Sequence, residues 1–109
     1  MRIEVDLDAV PASVSIAEPA DCTRFSVAAR GPGGGRALDD ALRAAGAGRM
    51  ADDGDARVAV DAVRRMAAGS VGAGWDDDFA AMLGYAESKG WMHEGGTEIQ
   101  AHVAWDAPA

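Results

Sequence analysis

Trp91-Met92-His93-Glu94-Gly95-Gly96-Thr97-Glu98-Ile99-Gln100-Ala101-His102-Val103-Ala104-Trp105 carries the clearest long-range signal in the chain. Two adjacent glycines separate two extended runs, which is the signature of a hairpin turn. The turn pairs His93 with Glu98, Met92 with Ile99 and Trp91 with Gln100. That register places Trp91, His93, Glu98, Gln100 and His102 on the face opposite Ile99 and Val103. Thr97–Trp105 reads as one strand with Ile99, Ala101, Val103 and Trp105 on its inner face, and Asp106–Ala109 as a frayed tail.

Upstream of the hairpin, Asp76–Lys89 has helical spacing, with Phe79, Met82, Leu83 and Ala86 at i, i+3, i+4 and i+7. Asp76, Asp77 and Asp78 sit where the helix dipole favours anions, Lys89 sits at the opposite end, and Gly90 supplies a left-handed stop. Gly84 is expected to mark a close crossing with another element. Near the start, Arg2–Asp8 alternates Ile3, Val5 and Leu7 with charged residues. Val14 and Ile16 form a second extended piece, and Thr23–Ala29 a third with Phe25, Val27 and Ala29 inward. Arg36–Ala45 repeats Leu38, Ala41, Leu42 and Ala45 at helical spacing, with Asp39 and Asp40 in the first turn and Gly46 as the stop.

Met50–Gly69 admits two readings. One is a single helix capped by Asp55. The other is a strand at Arg57–Val60, with Val58 and Val60 on one face, followed by a helix capped at Asp61. The β-branched valines favour the second. The whole predicts a single α+β domain over 1–109, a two-layer arrangement of one mainly antiparallel sheet with about three helices on one face and a C-terminal β-hairpin. Phe79, Met82, Leu83 and Ala86 are expected to dock on Ile3, Val5, Phe25, Val27, Ile99 and Val103.

Of 109 residues, 49% are hydrophobic and 26% charged, which is ordinary globular usage and argues against a disordered chain. Ten basic against eighteen acidic side chains give a formal net charge of −8, a sign that repels nucleic acid and anionic lipid alike. Cys22 is the sole cysteine, so neither an intramolecular disulfide nor a Cys-rich zinc site can form. Met1–Val10 has neither the basic nor the apolar region of a secretory leader, and no run is apolar enough to span a bilayer. The expectation is a cytoplasmic protein with no nucleic-acid or membrane partner.

Three local patterns carry candidate chemistry. Arg30-Gly31-Pro32-Gly33-Gly34-Gly35-Arg36, between a strand and a helix, resembles the R-x-x-G-x-G acyl-CoA loop of the N-acetyltransferases, with Arg30, Gly33 and Gly35 at the matching positions. The resemblance implies backbone N–H groups around a pyrophosphate. Against it, only about 30 residues precede the loop, Pro32 removes a donor and Asp39 and Asp40 oppose an anion. On the hairpin, His93, Glu98 and His102 offer two imidazoles and a carboxylate, but a solvated polar face is the simpler reading and no metal is expected. Asp52-Asp53-Gly54-Asp55 lacks the alternating ligands of a calcium loop and reads as a turn and cap.

The stretches GWDDDFAAMLGYAESKGW and IQAHVAW are similar to small proteins of GC-rich actinobacteria, a resemblance that brings no activity with it. The sequence is therefore read as a non-catalytic interaction module with no cofactor, forming a homodimer or binding a protein partner through Trp91, His93, Gln100 and His102. The alternative is a small acyl-CoA- or nucleotide-binding enzyme built on Arg30, Gly33 and Gly35.

Overall fold

The computed structural model describes residues 1–106; of the expected frayed tail, residues 107–109 lie outside the described residues. In chain order the elements are β1 (Arg2–Asp6), β2 (Ser13–Ala17), β3 (Ser26–Arg30), α1 (Gly34–Ala44), β4 (Gly48–Met50), β5 (Ala56–Ala59), α2 (Val60–Ala67), α3 (Trp75–Ser88), β6 (Met92–His93), β7 (Glu98–Ala101) and β8 (Val103–Trp105). A 3₁₀ turn at Glu94–Gly96 links β6 to β7.

These strands form two sheets, not one. The first has the order β2-β1-β3-β8 and the second the order β4-β5-β7-β6. Pairing is antiparallel throughout the second sheet and between β1 and β2, whereas β1–β3 and β3–β8 are parallel. The α+β class, the three helices and the hairpin agree with the sequence reading. The expected continuous strand Thr97–Trp105 is instead divided at His102: β7 belongs to the second sheet and β8 to the first. Its apolar alternation runs across the break, because Ile99, Ala101 and Val103 all face a single contiguous core.

That core joins Ile3, Val5, Val27 and Ala29 of the first sheet to Ala56, Val58, Ile99 and Ala101 of the second. Leu38 and Leu42 of α1, Val63 of α2 and Phe79 of α3 are fully buried in it. α1 packs against β1, β2 and β4, and α2 against β2 and β5, so both helices bind the two sheets together. On α3, Trp75 stacks on Phe79 with ring centroids 4.7 Å apart and planes 9° from parallel. The Trp75 indole N–H donates to the Pro19 carbonyl at 2.7 Å, which ties α3 to the segment after β2. Arg64 of α2 lies over the Phe79 ring at 5.3 Å.

Several local expectations change. Leu83 and Phe25 are half-buried, packed against the core from outside, and Trp105 is 43% exposed instead of inward. Gly84 meets no neighbour and marks no crossing. Of the two readings of Met50–Gly69, the strand followed by a helix is the one found, but Ala59 stands at the N-cap and Asp61 makes no capping bond. Asp55 lies in the β4–β5 turn and caps no helix. Because α1 starts inside the glycine run, its first turn holds no acidic residue, and Asp39 and Asp40 fall beyond it. Asp39 accepts from the Met50 backbone N–H at 2.7 Å and from Arg43 at 2.8 Å, so it fastens β4 to α1. β4 itself was not foreseen. It approaches β5 so closely that a Cβ at Gly48 would lie 2.1 Å from the Arg57 carbonyl oxygen.

Two outcomes follow. Phe79→Ala is expected to cost about 3–5 kcal/mol in urea unfolding and Leu83→Ala less than about 2 kcal/mol, in line with their burial; equal losses would contradict that ranking. The Met50 N–H, and then Arg43, hold the Asp39 carboxyl below its ordinary value of 3.8. A depressed folded-state value adds stability above the unfolded value, and that stability is lost as pH falls through the folded one. Asp39→Asn should therefore flatten the dependence of stability on pH between about pH 5 and pH 2, measured by thermal unfolding across that range.

Candidate functional site

The outer face of the second sheet follows from strand parity. Arg49 stands opposite Arg57 and Arg57 opposite Gln100, while Ala59 faces Glu98 and Glu98 faces His93. Directly opposed residues share a face, so these polar side chains lie together on the side away from Val58, Ile99 and Met92. The loop between β6 and β7 spans Glu94–Thr97, with Gly95 and Gly96 at φ 68 and 90. It keeps the expected register of His93 with Glu98 and Met92 with Ile99.

Hydrogen bonds connect much of this face. His93 Nε2 lies 2.9 Å from Gln100 Oε1, and the Gln100 amide donates to Asp55 Oδ2 at 2.8 Å. The second Asp55 oxygen lies 3.7 Å from His102 Nδ1. Of the four predicted interface residues, Gln100 and His102 thus meet at the Asp55 carboxylate and His93 joins them through Gln100. Glu98 does not pair with His93. It takes a two-pronged contact from Arg49, at 3.0 and 3.2 Å, reaching past the short side chain of Ala59. Arg57, only 8% exposed, donates to Asp53 at 2.8 Å. Arg43, Arg49 and Arg57 line one shallow groove, and each already holds a carboxylate, so an anionic ligand would have to displace Asp39, Glu98 or Asp53.

Trp91, the fourth residue, is set opposite Gln100 by a 2.7 Å bond from the Gln100 N–H to its carbonyl. Its ring stays 41% exposed and meets the 58% exposed Tyr85 edge to face, with centroids 6.0 Å apart. The Lys89 ammonium covers the Tyr85 ring at 5.5 Å. Asp55, Arg49, Arg57 and Tyr85 were missed by sequence reasoning. The first three needed the β4–β5 pairing. Tyr85 could have been found from its place off the apolar stripe of α3, near the end of that helix and six residues before Trp91.

The glycine loop joins β3 to the N-terminus of α1. Arg30 is drawn to Asp6 at 2.8 Å. Gly33, at φ 106, is the N-cap of α1, and a Cβ there would lie 2.5 Å from that of Ala37. Gly35 lies in the first turn of that helix and has open space around it. Burial, with Asp78 beside it, pushes the Cys22 thiol up, opposite to what a nucleophile requires. Among the described residues, no group of three or more His, Cys, Asp or Glu side chains is placed to hold a metal ion. None of the described helices is long and apolar enough to cross a membrane.

Comparisons with protein-family models, curated proteins and solved structures find no match to this chain.

The loop geometry is checkable by two alanines. Gly35→Ala should raise stability by about 0.5–1 kcal/mol, the ordinary gain for replacing a helical glycine, whereas Gly33→Ala should lower it. A loss at Gly35 in thermal unfolding would mean that backbone needs the glycine. On the sheet face, Gln100→Ala should cost about 1–2 kcal/mol by removing the link between His93 and Asp55.

Proposed function

We propose that this protein is a non-catalytic interaction module that binds another protein through the outer face of its second sheet, with Trp91 as the anchor. One observation carries the reading: the Trp91–Tyr85 pair is a large aromatic surface left in water beside polar side chains that already satisfy one another. Trp and Tyr are enriched among residues that dominate binding energy, and a polar surround with its bonds formed suits the rim of such a contact. Val10 is more exposed, at 97%, but stands alone and forms no comparable patch. Action in the reducing cytoplasm, which a single unpaired cysteine fits, belongs to the same proposal.

A photo-crosslinking amino acid at position 91, compared with one at position 10, tests the reading in the cells that make the protein. A discrete adduct at 91 and none at 10 is expected, and Trp91→Ala should weaken binding of the captured partner by about tenfold or more. An adduct of twice the chain's mass would replace the foreign partner by a second copy. Equal labelling at both positions would overturn the assignment of this face.

A further inference from the structure

A second surface, which shares His102 with the Trp91 face but not Trp91 itself, lies at the open edge of the first sheet. The two sheets have four edge strands, β2, β8, β4 and β6. Helices α1 and α2 pack against β2, α1 packs against β4 and α3 against β6, whereas among the described residues the close packing of β8 is with β3. The His102 carbonyl accepts from Val27 and the Asp106 N–H donates to Ala29, both on β3. Backbone groups alternate in direction along a strand, so the N–H and C=O of Val103 and Trp105 point away from β3. Val103–Trp105 carries none of the charges or prolines that commonly guard an edge against further pairing.

We propose that a second copy of this chain pairs with β8, edge to edge and antiparallel, about a twofold axis at Ala104. The pattern along 102–106 is self-complementary in that register. Val103 meets Trp105 of the other copy at both hydrogen-bonded positions, which uses the four outward N–H groups and the four outward carbonyls of the pair of strands as four hydrogen bonds. The half-exposed Trp105 ring gains an apolar neighbour twice. His102, whose side chain is 82% exposed, comes opposite Asp106 of the other copy, an imidazole facing a carboxylate on each side of the axis. At the axis, the exposed Ala104 faces its own counterpart, and two methyl groups allow the close approach. The result is one eight-stranded sheet with an isologous interface. Because the shared edge is only three residues long, the dimer belongs to the weak, concentration-dependent class.

Ala104→Lys and Ala104→Glu test this by sedimentation equilibrium, with circular dichroism confirming that each variant is folded. Wild type should form a dimer as its concentration approaches about 1 mM, and each variant, by setting like charges face to face, should weaken that dimer by about tenfold or more. An equimolar mixture of the two variants should recover the association, since lysine then faces glutamate. Trp91→Ala should leave the dimer unchanged, which keeps this test separate from that of the partner-binding face. A wild type that stays monomeric, variants that dimerise like wild type, or a mixture that fails to recover would each overturn the pairing.

Discussion

One extended stretch, Glu98–Trp105, is shared between two sheets, and the rest of the architecture depends on that sharing. β7 pairs with β5 and β6, and one residue later β8 pairs with β3. Val27 bonds to the carbonyl of His102, the joint itself. Because Ile99, Ala101 and Val103 keep the same inward parity across the joint, both sheets feed one core, and α1 and α2 can pack against strands of each. The outward residues of the same stretch, Glu98, Gln100 and His102, become the polar face that holds the candidate site.

That continuity explains what the sequence revealed and what it hid. Alternation is a local property, so the strand character of β1 and the hairpin register of Met92 with Ile99 were legible. The 3.6-residue spacing of Phe79, Met82 and Ala86 made α3 legible in the same way. The choice of pairing partner is not local. Nothing in His102-Val103-Ala104-Trp105 announces a change of sheet, because the apolar rhythm passes through it unbroken. β4 was invisible for a related reason: Gly48-Arg49-Met50 has no strand signal of its own and is held by the close approach of Gly48 to Arg57 and by the grip of Asp39 on Met50. Gly84 misled because a glycine inside a helix is consistent with either a crossing or open solvent, and here it has solvent.

At the candidate site, parity alone was enough to put His93, Gln100 and His102 on one face with Trp91. It could not supply Asp55, which reaches the same face from the β4–β5 turn and accepts from Gln100. The electrostatics also needed the tertiary pairing. A chain of net charge −8 carries three arginines along one groove, and each is neutralised where it stands by a carboxylate. The aromatic pair Trp91–Tyr85 is the part of this region that keeps large apolar side chains exposed, which is why the functional reading rests on it.

The shared stretch can be tested directly by the contacts between backbone protons in nuclear magnetic resonance spectra. The account predicts cross-strand contacts of Ile99 with Val58 in antiparallel geometry, together with contacts of Val103 with Val27 in parallel geometry. If β7 instead ran on unbroken beside β5, the antiparallel register would carry Val103 opposite Gly54, and that contact in place of Val103 with Val27 would contradict it.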